Sequence, residues 1–151
     1  MSPTYPKMII FDLDDTLIQE GFPITEPIIC DDTMKILQYL RTKNVKTVLA
    51  THNYSADYIL EKLDLTKYFD LVLAYHDYTD KASHLWNALR KFNLNPSDVV
   101  FYDDIIENIQ AVCKQGACGI LVNYVTGVTF EQVELKFSSD TKIDTSINQG
   151  E

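Results

Sequence analysis

The segment Lys7-Met8-Ile9-Ile10-Phe11-Asp12-Leu13-Asp14-Asp15-Thr16-Leu17 joins an apolar run of strand length to a turn that carries three carboxylates. Carboxylates this close together resist ionisation, because each negative charge disfavours the next. A strand end that gathers Asp12, Asp14 and Asp15 therefore indicates a bound cation or a bound reaction partner. Mg²⁺ is the expected cation, because it prefers oxygen ligands and retains several waters.

The size of the chain indicates one domain. Its 151 residues are enough for one substantial core and too few for two. With 46% hydrophobic and 23% charged residues, the composition is typical of a globular protein. We assign residues 1–137 to this domain and residues 138–151 to a polar tail, which we expect to be partly disordered or loosely laid on the surface.

The cysteines and the net charge limit the possible cellular compartments and binding partners. The three cysteines, Cys30, Cys113 and Cys118, form no CxxC pair, which favours free thiols in a reducing cytosol. No apolar run has the length of a signal peptide or a membrane span, so we expect a cytoplasmic protein without a membrane partner. The net charge of −9 opposes attraction to phosphate backbones, so nucleic acid is not an expected partner. The oligomeric state stays open.

Strand-like and helix-like segments alternate along the chain. Strands are predicted at 7–11, 46–50, 71–74, 99–102 and 119–122. Helices are predicted at 32–43, 55–63, 81–92, 105–115 and 129–137, with Asp31 or Asp32, Ser55 and Asp80 as N-terminal caps. This alternation is typical of an α/β fold with a parallel sheet and helices on both faces.

Chemically reactive side chains follow the predicted strands. Ligands of open parallel sheets bind beyond the carboxyl ends of the strands. Asp12 and Asp14 follow the first strand, the run Thr51-His52-Asn53 ends the second, and the pair Asp103-Asp104 ends the fourth. Lys81 opens the helix after the third strand. Carboxylates, a hydroxyl group and an ammonium group at one edge of a sheet predict a site for a phosphoryl group and a metal.

These residues resemble the four motifs of the haloacid dehalogenase superfamily, namely a DxDx[TV] loop, a strand-end Ser or Thr, a Lys and a late acidic pair. All four occur here in that order. The words Tyr78-Thr79-Asp80-Lys81 and Phe101-Tyr102-Asp103-Asp104, with Asn108 beyond, are most similar to the magnesium-dependent phosphatase one branch. The resemblance covers roughly Lys7 to Phe137. It implies a three-layer Rossmann-like core with a central parallel sheet of about five strands.

The resemblance also implies an activity, the hydrolysis of phosphomonoesters with Mg²⁺ as cofactor. Asp12 would be the nucleophile that forms an aspartyl phosphate. Asp14 would be the general acid and base, with a pKa raised by the negative charge of Asp12 and Asp103. Thr51 and Lys81 would bind the transferring phosphoryl group and complete the catalytic set.

The remaining site residues have supporting roles in this comparison. His52 and Asn53 would line the phosphate pocket beside Thr51. The metal ligands would be Asp12, the backbone carbonyl of Asp14, Asp103 and, directly or through water, Asp104.

Several single residues have more than one interpretation. Asp104 has the alternative roles of orienting Lys81 or capping the next helix, and Asn108 either reaches the site or faces solvent. Asp15 and Thr16 would support the loop. His76 and His84 are expected at the surface.

Little sequence is left for a cap over the site. The intervals from Thr16 to Thr51 and from Thr51 to Lys81 are nearly filled by one helix and one strand each. Only the segment 19–27 remains as a flap-like loop. We therefore expect no large cap domain and an open site, which would admit a phosphorylated protein side chain of the phosphotyrosine kind, a sugar phosphate, or another large phosphoester. A neighbouring subunit is the alternative source of cover.

Three other functions compete with this prediction. A phosphoserine phosphatase of the DLDETL type has a loop that differs at Asp15 and insertions that find no room here. A phospho-accepting receiver domain uses similar groups but places its acidic pair first and its Lys last, whereas here the DxD loop comes first and Asp103-Asp104 follow Lys81. A binding module without turnover would not need every chemical position to be occupied.

Overall fold

The apolar runs of the sequence form strands whose carboxyl ends share one edge of a sheet. The computed structural model describes residues 5–21, 26–74 and 80–138. Its strands are β1 (Met8–Phe11), β2 (Ile18–Gln19), β3 (Ile28–Ile29), β4 (Lys46–Thr51), β5 (Leu71–Ala74), β6 (Val99–Asp103) and β7 (Cys118–Leu121). Five of them form a sheet in the order β5-β4-β1-β6-β7, in which each adjacent pair of strands is parallel. The α/β fold with a five-stranded parallel sheet is thus confirmed.

Helices follow the strands at nearly the predicted bounds. They are α1 (Thr33–Arg41), α2 (Ala56–Lys62), α3 (Lys81–Phe92), α4 (Ile106–Lys114) and α5 (Phe130–Glu134), with short 3-10 turns at Thr66–Tyr68 and Pro96–Asp98. The closing helix is shorter than predicted because the chain turns at residues 135–137. Of the predicted caps, Asp80 accepts the Ser83 backbone N–H at 2.9 Å, whereas Asp32 and Ser55 make no side-chain cap bond.

The strand period of two divides the core between the two faces of the sheet. On β1, Ile9 and Phe11 pack with α1, α2 and α5, whereas Met8 and Ile10 pack with α3 and α4. All four β1 side chains are fully buried. A central strand covered on both faces must be apolar along its whole length, and this explains why the run before Asp12 has no alternation.

Asp32 has a different task from the predicted cap. Its Oδ2 accepts the Phe130 backbone N–H at 2.8 Å, which ties the beginning of α1 to the beginning of α5. The ring of Phe130 meets Tyr39 edge to face at 5.0 Å between centroids. The C-terminal helix is thereby fixed to the same face of the sheet as α1.

The predicted flap is in part a small hairpin. Strands β2 and β3 pair antiparallel, Ile18 with Ile29 and Gln19 with Ile28. The described residues contain no large cap domain, as predicted. Residues 22–25 of the flap, His76, Tyr78, Thr79 and residues 139–151 of the predicted tail lie outside the described residues. Among the helices that are described, none is long and apolar enough to cross a membrane.

The loop after β1 rests on a close backbone approach. Asp15 has a φ of 62°, which turns the chain back so that its N–H donates to the Ile18 carbonyl at 2.7 Å. The Thr16 carbonyl accepts the Val128 N–H at 2.9 Å. Gly127 precedes this contact with a φ of 75°, and a Cβ at this position would lie 2.7 Å from the Thr16 carbonyl oxygen and 2.5 Å from the Cys30 sulfur. The position therefore requires glycine both for its backbone conformation and for space.

Gly127→Ala should lower the free energy of unfolding by about 3 to 5 kcal/mol, because left-handed backbone strain and overpacking add. The matched control is Gly116→Ala, where φ is also positive but the added Cβ meets only Pro96 at 3.4 Å. The control should lose about 1 to 2 kcal/mol from strain alone. Urea unfolding followed by circular dichroism measures both, and equal losses in the two variants would contradict the close approach at Gly127.

Candidate active site

The predicted site residues meet beyond the carboxyl ends of β1, β4 and β6. An open cavity of about 390 Å³ lies there. Seven of the eight predicted site residues line it, namely Asp12, Asp14, Thr51, His52, Asn53, Lys81 and Asp104. The eighth, Asp103, is fully buried and contacts Lys81. The structure therefore brings together the whole set that the sequence pattern selected.

Lys81 is the buried cation of the site. It is the first residue of α3, its side chain is 1% exposed, and its Nζ donates to Asp12 Oδ1 at 2.8 Å, to the Ala50 carbonyl at 2.8 Å and to Asp103 Oδ2 at 3.1 Å. Burial lowers the pKa of Lys81, but the carboxylates of Asp12 and Asp103 outweigh it, so that the net direction is upward. The ammonium group therefore keeps its proton and uses all three of its donors.

Asp103 is fixed by three donors. Its Oδ1 accepts the Ile105 backbone N–H at 3.0 Å, and its Oδ2 accepts Asn108 Nδ2 and Lys81 Nζ, both at 3.1 Å. Asn108 thus reaches the site rather than facing away from it. The N-terminal cap residue of α4 is Ile105, so the capping alternative for Asp104 is wrong.

Asp12, Asp103 and Asp104 form a cluster in which one oxygen of each lies within 4.8 Å of the others. Burial raises the pKa of Asp12, Lys81 lowers it and Asp103 raises it again, with a net upward shift. Burial also raises the pKa of Asp104. An all-oxygen donor set with excess negative charge beside a single ammonium group fits a hard divalent cation, so the residues present suit Mg²⁺.

Asp14 differs from Asp12 in its environment. It is exposed, and the Asn53 amide donates to its Oδ1 at 3.4 Å and its Oδ2 at 3.2 Å. Its pKa is raised as predicted, but the cause is partial burial first, and the nearby charges that add to it are Asp15 and Glu20. The predicted cause, the charge of Asp12 and Asp103, is therefore corrected.

Thr51 and Asn53 form one turn at the end of β4. The Thr51 hydroxyl accepts the Asn53 backbone N–H at 3.0 Å, which leaves the hydroxyl hydrogen available to donate into the cavity. Asn53 Oδ1 accepts the Ser55 N–H at 2.9 Å, so the amide that holds Asp14 is itself held. Thr16 Oγ1 lies 3.5 Å from Asp12 Oδ2, so its hydroxyl meets the Asp12 side chain rather than the backbone that we expected it to bond.

His84 is not at the surface. It is fully buried one turn into α3 from Lys81, and its ring lies 5.2 Å from that of His52. The expectation of an exposed His84 failed because residues three apart on a helix share a face. Sequence reasoning also missed Tyr58 and Ile59 on α2, which line a groove beside Asp14. Their signal was a large aromatic on the polar side of a short helix.

Fold and site together define an α/β enzyme core with a carboxylate and lysine centre. A family model described as haloacid dehalogenase-like hydrolase matches residues 22–112, which is more than half of the chain. The chain belongs to the haloacid dehalogenase-like hydrolases. The predicted superfamily and the predicted hydrolase class are therefore confirmed. No curated protein sequence matches the chain.

Solved structures agree on the fold. A haloacid dehalogenase superfamily hydrolase from Ehrlichia chaffeensis is similar with a TM-score of 0.74 and 17% identity, covering 94% of this chain and 100% of that one. β-Phosphoglucomutase from Clostridium difficile is similar with a TM-score of 0.70 and 13% identity, covering 91% of this chain and 99% of that one. A haloacid dehalogenase superfamily hydrolase of subfamily IA from Geobacter sulfurreducens is similar with a TM-score of 0.69 and 14% identity, covering 78% of this chain and 89% of that one.

The free energy of unfolding should depend on pH because His84 is buried. Burial lowers the pKa of His84 from 6.5 to about 4. Between these two pH values the His84 imidazole is mostly protonated in the unfolded chain and mostly neutral in the folded chain. Its contribution to stability is therefore lost as the pH falls from 6.5 to about 4. The free energy of unfolding of the wild type, minus that of His84→Gln, should fall by up to about 3 kcal/mol across this interval. Urea titrations at a series of pH values measure the difference, and parallel curves would contradict it.

Proposed function

We propose that this chain is a phosphatase, a magnesium-dependent phosphomonoester hydrolase that works through an aspartyl phosphate on Asp12. The observation that carries the proposal is the contact of the buried Lys81 ammonium with Asp12 at 2.8 Å, at the floor of a cavity that Asp14 and Thr51 also line. A structural ion pair needs neither an accessible cavity nor a second carboxyl group beside it. Membership in a hydrolase family supports the same conclusion.

In the first step, Asp12 attacks phosphorus. One of its carboxylate oxygens forms the new bond to phosphorus while the bond from phosphorus to the leaving oxygen breaks. The contact with Lys81 lowers the pKa of Asp12 against the upward shift that burial causes, and so favours the ionised, nucleophilic form. The raised pKa of Asp14 suits it to deliver a proton to the leaving oxygen, so that a neutral alcohol departs. Thr51 donates its hydroxyl hydrogen to a phosphoryl oxygen.

In the second step, the residues reverse their roles. Asp14, now ionised, takes a proton from a water that attacks phosphorus, and the Asp12 carboxylate is released with inorganic phosphate. Asn53 stabilises the ionised form of Asp14 through its two amide contacts. Lys81 stays protonated throughout and balances the charge of Asp12 and of the transferring group.

The metal is proposed to be Mg²⁺, held by Asp12, Asp103, Asp104 and the backbone carbonyl of Asp14. When bound, it would neutralise charge on the carboxylates and the phosphoryl group. Asp103 is already positioned for this by Ile105 and Asn108. Asp104 belongs to the cluster of carboxylates, which favours a metal contact over the alternative of orienting Lys81.

The open cavity suggests the kind of substrate. With no large cap domain in the described residues, the site is accessible to a phosphorylated protein side chain of the phosphotyrosine kind as well as to sugar phosphates. The reducing cytosol remains the proposed compartment, supported by the free state of Cys30, Cys113 and Cys118.

A receiver-like module that keeps its phosphoryl group is the second candidate. It is supported by the shared set of carboxylates, Thr and Lys. Asp14 argues against it, because a second carboxyl group held by Asn53 supplies the base that hydrolysis needs. The order of the motifs argues against it as well. The DLDETL type of phosphoserine phosphatase remains a related alternative.

Asp12→Asn should reduce magnesium-dependent hydrolysis of 4-nitrophenyl phosphate by at least about a thousandfold, because an amide cannot accept the phosphoryl group. Asp64→Asn is the matched control, since its carboxylate pairs with Lys67 on the exposed surface outside the site. The control should keep wild-type turnover. A chelator of divalent metal ions should abolish turnover in the wild type and in Asp64→Asn. Retention of a tenth of the activity in Asp12→Asn would rule out this nucleophile.

Asp104→Asn should weaken Mg²⁺ binding about tenfold, because one carboxylate of the cluster is lost. Asp15→Asn is the control, since Asp15 lines the same cavity but lies outside the cluster. Its effect should stay within about threefold, which is the range of a screened charge. Calorimetric titration with Mg²⁺ measures both variants, and equal effects would remove Asp104 from the proposed ligands.

A further inference from the structure

A second groove opens from the catalytic cavity. It has a volume of about 380 Å³ and lies between the β2–β3 hairpin and α2. Asp14 and Asn53 line both spaces, so the two adjoin at the proposed general acid. A group bonded to the leaving oxygen must extend away from phosphorus past Asp14. The groove offers such a space on the side of α2.

The lining of the groove includes four apolar or aromatic side chains beside its polar ones, which are Asp14, Gln19, Glu20, Asn53 and Ser55. Ile18 and Pro27 belong to the hairpin side, and Tyr58 and Ile59 belong to α2. Tyr58 is 66% exposed although it is a large aromatic residue, and the helical spacing of Ser55, Tyr58 and Ile59 places all three on one face. An exposed aromatic ring beside a catalytic acid offers a flat surface on which an apolar group can pack.

The charges of the groove have one sign. Its carboxylates are Asp14 and Glu20, and no Lys, Arg or His among the described residues lines it. Lys62 places its ammonium 5.9 Å from the centroid of the Tyr58 ring without lining the groove, and Asp57 and Glu61 flank the same helical turn. An anionic group that entered the groove would therefore meet like charge at close range.

We propose that this groove is the leaving-group subsite of the enzyme and that it selects phosphomonoesters of uncharged, flat, apolar alcohols over those with a second anionic group. The proposal rests on the phosphatase function proposed above. Tyr58 packs against the leaving group, and Glu20 repels a second anion. When the bond from phosphorus to the leaving oxygen breaks, Asp14 protonates that oxygen at the boundary of the two spaces, and the neutral alcohol departs through the groove.

The packing role is tested by binding, so that turnover is not required. Phenylphosphonate and methylphosphonate share the phosphoryl head and differ in the apolar group. In calorimetric titrations with Mg²⁺ present, the phenyl compound should bind about tenfold more tightly, because its ring leaves water. Tyr58→Ala should remove most of this ratio without changing the affinity for methylphosphonate. Tyr54→Ala is the matched control, since Tyr54 is 75% exposed and does not line the groove.

The charge role is tested with 4-carboxyphenylphosphonate. It should bind the wild type at least about fivefold more weakly than phenylphosphonate, because its carboxylate meets Glu20. Glu20→Gln should recover most of that loss, whereas Glu131→Gln, an exposed carboxylate on α5, should not. Equal recovery in both variants would reduce the effect to net charge and overturn the role of Glu20.

The outcomes separate the subsite from the phosphatase proposal. Equal affinity of phenylphosphonate and methylphosphonate, or a ratio that Tyr58→Ala leaves intact, would overturn the subsite even if 4-nitrophenyl phosphate is hydrolysed. A Tyr58-dependent ratio in a protein without turnover would support the binding preference and contradict the hydrolase mechanism. Comparison of kcat/KM for free phosphotyrosine and for phosphotyrosyl peptides then distinguishes a small aryl phosphate from a protein side chain as the source of the same chemistry.

Discussion

The site depends on one ammonium group. Lys81 Nζ is almost fully buried and contacts Asp12, Asp103 and the Ala50 carbonyl, so it joins the ends of β1, β4 and β6 through a single atom. Burying an ion is unfavourable unless all its hydrogen bonds are satisfied, and here three acceptors meet three donors. Removal of Lys81 would leave the Asp12 and Asp103 carboxyl groups in the interior without a cation between them. The network therefore fixes the relative positions of Asp12 and Asp103.

The two carboxyl groups of the DxD loop have separate chemistry because of their surroundings. Asp12 is 8% exposed and contacts Lys81, whereas Asp14 is exposed and held by the amide of Asn53. Both pKa values are raised, and burial is the first cause of each. The difference lies in the partner, which is a permanent cation for Asp12 and a neutral amide for Asp14. The left-handed backbone of Asp15 turns the chain between Asp14 and β2.

The sequence predicted the parts that depend on local pattern and strand order. Apolar runs located all five strands of the main sheet, and the carboxyl-end rule gathered Asp12, Thr51 and Asp103. The sequence could not predict the features that depend on contacts between residues far apart in the chain. Asp32 bonds to α5 instead of capping α1, and His84 is buried because Lys81, three residues earlier, faces inward. The two-residue strands β2 and β3 are too short for any periodic signal.

The described residues contain no large cap domain, so under the proposed function the core itself must select the substrate. An enzyme with a cap can enclose its substrate, but here the walls beside Asp14 come from α2 and from the hairpin of β2 and β3. Under the proposed function, such walls would select a leaving group by apolar contact and charge rather than by enclosure. Asn53 donates to Asp14 and accepts the Ser55 N–H at the start of the turn that leads into α2. The position of the Asp14 carboxyl group and the α2 wall of the groove therefore depend on the same turn.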